Sequence, residues 1–362
     1  MQRKTAVLGF IVILLCVNSI QTPQTVATVT PEDVDVLAVI GQYFGWSYFE
    51  LRDIFEDWGC NFVTTGETAT VESCINKPPN PVDTDILVSE IDRETIRLYD
   101  CLVIPSGGHW QSLKNSEPVI ELIQMAFEEG LVVGGICTGV IPICYSNVTE
   151  DCCVTGHNIV YSYAVDSGAT ILPFMNSVID GQIITGDGGD GVPDGYITAP
   201  HFEFCRAIMT KLLGYSYFES ISMLSSLDGD ETVHLINVTT SGAIDLFGNV
   251  STPEIAEVTA KFHTEDNDTI VAEIELLDID GDDVFTGNIT NLDEGRYVID
   301  LDIIDANVSL EVVHDALTYD ASDIEPTTSP TGGNLLLSGE QILLVGAAAV
   351  VVVLVLVVWK RR

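Results

Sequence analysis

The sequence predicts an α/β fold, a parallel sheet sandwiched between helices, followed by an all-β Ig-like sandwich and a C-terminal transmembrane helix. Three observations predict it. Short, almost continuously apolar runs alternate with helical patterns up to about residue 224. That pattern marks parallel strands covered on both faces. From residue 228 to 319 the runs alternate or are β-branched, with turn signals at even spacing, as in a sandwich. Ile342 to Trp359 then carries no charge and is followed by Lys360-Arg361-Arg362. At about 1.5 Å per residue this run spans a hydrocarbon core.

The ends come first. Arg3 and Lys4 precede an apolar run from Ala6 to Ile20, the pattern of a secretory signal. Residues 1–27 are therefore expected to be a signal peptide, and 342–359 a single membrane span with the basic tail 360–362 on the cytoplasmic side. The expected location is the cell membrane, with the bulk of the chain outside the cytoplasm. Residues 320–341, rich in Pro, Thr, Ser and Gly, read as a flexible stalk. The sequons at Asn147, Asn237, Asn249, Asn267, Asn288 and Asn307 permit glycosylation there. A formal net charge of −40 argues against nucleic acid as a partner, since like charge repels phosphate.

Within the first region, 33–224, Val34 to Ile40 reads as a strand and Tyr48 to Trp58 as a helix. Cys60 to Thr64, Asp85 to Ile91 and Cys101 to Pro105 read as strands, and Pro118 to Glu129 as a helix. Leu131 to Ile136 is a strand that runs straight into Cys137, and Ile183 to Thr185 precedes a helix from His201 to Leu213. In the second region, 228–319, strands are expected at Thr232–Ile236, Ala256–Phe262, Ile270–Leu276, Arg296–Ile303 and Val308–Val313.

The chemistry concentrates at Gly134-Gly135-Ile136-Cys137-Thr138-Gly139. A strand that ends in a nucleophile and then turns sharply through small residues into a helix is a nucleophile elbow. At a helix N-terminus the thiolate of Cys137 is favoured, and backbone N–H groups there hold an oxyanion. The alternative reading is a buried structural cysteine.

Residues 34–214 resemble the DJ-1/PfpI superfamily, whose domain is a flavodoxin-like parallel-sheet sandwich. The resemblance is carried by Gly45-Trp46-Ser47-Tyr48-Phe49-Glu50, by Tyr99 to Gly108 with its Pro105-Ser106-Gly107-Gly108 end, and by the Cys137 elbow. The closing segments Asp180 to Gly186 and His201 to Ile208 complete it. It implies that Glu50 is the acidic partner of Cys137 and that His157, in Val154-Thr155-Gly156-His157, approaches the cysteine. Gly108 and Thr138 are expected oxyanion donors through their N–H groups, and His109 a residue of the same pocket. The protease-like branch carries His directly after the cysteine; Thr138 stands there, which puts peptidase activity in doubt. Small carbonyl or acyl compounds are the expected substrates, with hydrolase or glyoxalase-like chemistry. A non-catalytic redox sensor or binding module, or adhesion through the sandwich, are the competing classes. The resemblance also suggests a homodimer.

No cofactor is expected and no metal at the site. Asp278 to Asp283 clusters carboxylates about Gly281 and offers oxygen ligands for Ca²⁺; it lacks the full twelve-residue loop with a terminal Glu, so an acidic hairpin turn is the favoured of the two readings. Cys60 with Cys74, and Cys144 with Cys152 or Cys153, are feasible disulfides in an oxidising compartment.

Overall fold

The computed structural model describes residues 29–188, 200–228, 231–240, 255–265, 267–279, 281–290 and 292–321. The expected signal segment 1–27, the membrane span 342–359 and tail 360–362 lie outside them, as does the stalk beyond Ala321. Among the described residues no helix is long and apolar enough to cross a membrane.

The first half builds strands β1 (Asp35–Val39), β2 (Asn61–Gly66), β3 (Ile86–Leu87), β4 (Cys101–Ile104) and β5 (Val132–Ile136). They are followed by the hairpin β6 (Ser177–Asp180) and β7 (Ile183–Gly186). The larger helices are α1 (Ser47–Asp57), α2 (Glu117–Glu128), α3 (Val140–Tyr145), α4 (Val160–Asp166) and α5 (Pro200–Leu212). Strands β1 to β5 and β7 run parallel in the order β7-β5-β4-β1-β2-β3. Side chains alternate between the faces of a strand. Val36, Ala38 and Ile40 therefore pack with Phe49 and Phe204, while Leu37 and Val39 pack with Leu122 and Ile123. Both faces are dry, which is why these strands read as unbroken apolar runs.

The second half has strands β8 (Phe218–Asp228), β9 (Glu231–Thr240), β10 (Ile255–Thr264), β11 (Asn267–Leu276), β12 (Val284–Thr290), β13 (Arg296–Asp305) and β14 (Ser309–Asp320). Two sheets enclose one core, in which Ile236, Val238 and Phe285 meet Val258, Phe262 and Ile299. One sheet is β8-β9-β12. The other is not separate. β14 pairs in parallel with β6, so β11-β10-β13-β14 continue the α/β sheet into eleven strands. The β-rich region, expected as an Ig-like sandwich beginning at residue 228, thus starts at Phe218 and is joined edge to edge to the first half. The segment from Asp278 forms the turn between β11 and β12, where the Asp278 carboxylate accepts hydrogen bonds from the N–H groups of Gly281 and Asp283.

A buried ionic group ties the halves together. Arg206 on α5 donates from Nε to Glu203 (2.6 Å) and from Nη2 to Asp305 on β13 (2.5 Å). The Tyr217 hydroxyl donates to the same Asp305 oxygen, and the N–H groups of Asn307 and Ser309 donate to the other.

Candidate active site around Cys137

β5 delivers Cys137 at the C-terminal edge of the parallel strands. Its backbone is left-handed, φ 55°, and its residue is 7% exposed. Such a conformation costs a non-glycine residue roughly 1–3 kcal/mol and marks a position held by its surroundings. The turn Cys137–Gly139 is a single 3-10 turn ahead of α3. Gly139 is where it must be small: a Cβ there would lie 2.1 Å from the Ile104 carbonyl oxygen and 2.7 Å from that of Pro105. α3 has six residues, so the dipole expected to favour thiolate is a short one.

Three segments close on the cysteine. Gly188, φ +82°, lies against it: a Cβ at that position would fall 2.5 Å from Cys137 Cβ and 3.4 Å from Sγ. Gly156 packs on the Cys137 carbonyl, so the Val154-Thr155-Gly156-His157 segment does reach the elbow by its backbone. His157 itself is half-buried, and its Nδ1 accepts from the Ile159 N–H at 3.2 Å. The Ser106-Gly107-Gly108 turn is the third. Thr138 Oγ1 accepts from the Gly107 N–H (3.0 Å) and donates to the Gly107 carbonyl (3.2 Å). The two stretches expected to carry oxyanion donors, at Gly108 and Thr138, are thereby locked together.

Glu50, the expected acidic partner, sits one helical turn into α1, half-exposed, with Lys77 Nζ 3.6 Å from its carboxylate. Lys77 also lies over the Trp46 ring at 4.4 Å. The α1 residue that meets the Ser106 turn is Ser47. Its hydroxyl donates to Ser106 Oγ (2.7 Å) and accepts from the Ser106 N–H (2.5 Å). At 1.5 Å rise per residue Glu50 lies about 4.5 Å further along the axis. The only sequence signal for Ser47 is a hydroxyl at the first turn of the helix, opposite a serine where the family resemblance has glycine.

His109 points away from solvent altogether. It is 0% exposed, Nδ1 accepts from the Gly41 N–H (3.0 Å), and Nε2 donates to the Pro105 carbonyl (2.8 Å). Both ring nitrogens are spent holding β1 against β4, so the ring braces the turn instead of lining a pocket. Burial pushes its pKa down to about 4. Unfolded, it titrates near 6.5, so between those values only the unfolded chain takes up the proton. Stability from this residue is complete above about pH 6.5 and falls by about 3 kcal/mol as pH drops to about 4. His109→Gln is expected to flatten that limb in urea titrations. An unchanged slope between pH 6.5 and 4 would contradict it.

Among the described residues no disulfide joins the eight cysteines from Cys60 to Cys205, and the expected pairs Cys60–Cys74 and Cys144 with Cys152 or Cys153 are not formed. Burial raises the Cys60 thiol to about 11 and those of Cys152 and Cys153 to about 12. Cys101, Cys144 and Cys205 are raised for the same reason.

A parallel sheet covered on both faces, with a cysteine elbow at its carboxyl edge, defines a cysteine-bearing α/β domain. Residues 34–209 match the model of the DJ-1/PfpI family, and this half of the chain is a DJ-1/PfpI family domain. Among solved structures it is similar to a ThiJ/PfpI domain protein from Brachyspira murdochii, at 24% identity over 52% of this chain and 99% of that one, TM-score 0.43. It is also similar to Drosophila melanogaster DJ-1beta, at 17% identity over 50% and 91%, TM-score 0.42. Schizosaccharomyces pombe DJ-1 aligns at 18% identity over 49% and 91%, TM-score 0.42. No curated protein matches the chain.

Proposed function

We propose that Cys137 is the nucleophile of an enzyme acting on small carbonyl or acyl compounds. The observation that carries this reading is the enclosed elbow: a left-handed cysteine at the sheet edge, 7% exposed, with Gly188 against it and the Thr138–Gly107 clasp beside it. Such enclosure favours a small electrophile over a polypeptide as the partner of this thiol. Sγ, as thiolate, adds to the carbonyl carbon, and the carbonyl oxygen takes up a proton to give a hemithioacetal, or a thioester is formed as an alcohol leaves. The Ser47 and Ser106 hydroxyls brace the Ser106-Gly107-Gly108 turn expected to carry an oxyanion donor, and Glu50 on the same helix is the proposed acid/base partner.

The remaining buried thiols stay protonated near neutral pH, and Cys74 is the exposed competitor. In a Cys74→Ser background, Cys137→Ser is expected to abolish alkylation by iodoacetamide. The same change should remove turnover of a small α-oxoaldehyde and of an activated acetate ester. Turnover that survives it with the fold intact would sink the mechanism.

The same elbow, which places the thiol at a helix N-terminus, supports a second reading, a redox sensor without turnover, in which peroxide oxidises Cys137 to a sulfenic acid and is itself reduced to water. Peroxide that leaves Cys137 unmodified would dispose of it. Display outside the cytoplasm is part of the proposal. It is supported by the charge-flanked apolar ends and by the exposed sequon residues Asn147, Asn288 and Asn307. A membrane-impermeant maleimide should then label Cys74 on intact cells; labelling only after lysis would refute display.

A further inference from the structure

A second polar cluster lies where the two halves of the long sheet meet, on the face opposite the β core. On β10 and β13 alternate residues divide cleanly. Ala260, Phe262, Ile299 and Leu301 enter the core. Lys261, His263, Asp300 and Asp302 therefore project from the other face, into a cleft of about 700 Å³ shared with Asp180 of β6. A bulge completes the cluster. On β14 the three residues His314, Asp315 and Ala316 stand opposite the single residue Asp300. The Asp315 N–H donates to Asp300 Oδ1 at 2.8 Å, which leaves Oδ2 facing inward. Bulges re-aim side chains in this way beside functional sites.

We propose that His263, Asp300 and Asp315 bind a divalent transition ion of the zinc class. One ligand atom from each lies within 4.8 Å of the others. His263 Nε2 stands 3.4 Å from Asp300 Oδ2. Two donors at about 2.0–2.1 Å from a tetrahedral zinc ion are separated by about 3.3 Å, so this pair needs almost no movement. The other His263 nitrogen, Nδ1, is buried with no hydrogen-bond partner among the described residues. Mixed imidazole and carboxylate donors suit zinc over calcium, which takes oxygen alone.

His314 positions the site. Its Nε2 lies 2.9 Å from the buried Asp180 carboxylate, and its Nδ1 faces Asp300 Oδ2 at 3.6 Å. Held by Asp180, His314 fixes the Asp300 carboxylate, as outer partners do for carboxylates that ligate a metal. The charges around the cleft favour a cation. Glu150, Asp151 and Asp180 join the three carboxylates at positions 300, 302 and 315. Of the opposing charges, Lys261 is taken up by Asp302 and His314 by Asp180. The Cys152 and Cys153 thiols also line the cleft but are held protonated by burial.

The test is calorimetric titration of the purified, chelator-stripped full chain with Zn²⁺, repeated with Co²⁺ and read by visible absorption. One saturable equivalent is expected, with a Co²⁺ band of tetrahedral intensity. Asp300→Asn and His263→Gln, each checked for folding by circular dichroism, should weaken binding roughly a hundredfold; His314→Ala should weaken it about 10–100-fold. Asp278→Asn and the double Cys152→Ser/Cys153→Ser should leave it unchanged. Absence of a saturable equivalent overturns the proposal. So does uptake that Asp300→Asn leaves intact, or uptake that the cysteine or Asp278 variants remove.

Discussion

Asp305→Ala is expected to lower unfolding stability by roughly 3–5 kcal/mol, the range for breaking a buried ion pair on one side. Asp305 is fully engaged: one oxygen takes Arg206 and Tyr217, the other the N–H groups of Asn307 and Ser309. Its removal leaves the Arg206 guanidinium, whose Nη1 has no hydrogen-bond partner among the described residues, inside the protein beside the Glu203 carboxylate. The cost is desolvated charge more than lost contact, and that distinction is testable. Replacing both partners together, Arg206→Met with Asp305→Leu, should recover a good part of the loss, because no charge is then stranded. Urea denaturation of the single and the double variant decides it. A loss below about 1 kcal/mol in Asp305→Ala would show that the network contributes little.

Gly139→Ala should be the most damaging small change near the candidate site. The added methyl would stand 2.1 Å from the Ile104 carbonyl oxygen, at the end of β4, and 2.7 Å from that of Pro105, which His109 holds. Neither is the free end of a flexible side chain, so relief requires the Cys137 turn to move away from β4. Overpacking of this kind costs typically 1–3 kcal/mol, and the upper end is expected here. The turn also carries the Thr138 clasp on Gly107, so the iodoacetamide reactivity of Cys137 should change with stability. A folded Gly139→Ala protein with wild-type stability and unaltered Cys137 labelling would mean that the close approach is not needed.

The sequence was most legible where burial is two-sided. β1, β4 and β5 are unbroken apolar runs because both of their faces are covered, and their bounds fall within a residue or two of expectation. β8 and β12 were not foreseen. β8 carries serines and glutamate among its apolar residues, and β12 has Gly287 where its core-facing alternation would need an apolar side chain, so neither shows a clean alternation. The pairing of β6 with β14 was invisible because nothing local specifies a partner so distant in the chain. At the site, Cys137 was legible because a strand, a nucleophile and a small-residue turn are contiguous. Ser47 was not, since a hydroxyl in the first turn of a helix usually reads as a cap and the nearby Glu50 is the more conspicuous residue. His109 follows Gly108 directly, yet its ring folds back onto Gly41 and Pro105, a direction that sequence order does not encode. The His263, Asp300 and Asp315 cluster is assembled from three strands and a bulge, and no spacing announces it.

The joining of β14 to β6 sets a clock. Ser177 and Ser309, whose hydroxyls meet at 2.9 Å, are 132 residues apart. At roughly 5–20 residues per second of synthesis, the outer rim of β6 waits about 7–26 s for the strand that covers it. Throughout that interval a nearly finished α/β domain presents unpaired N–H and C=O groups, the template on which chains join wrongly. A nascent chain stalled before residue 309 should accordingly be sticky, and one released after residue 321 should not.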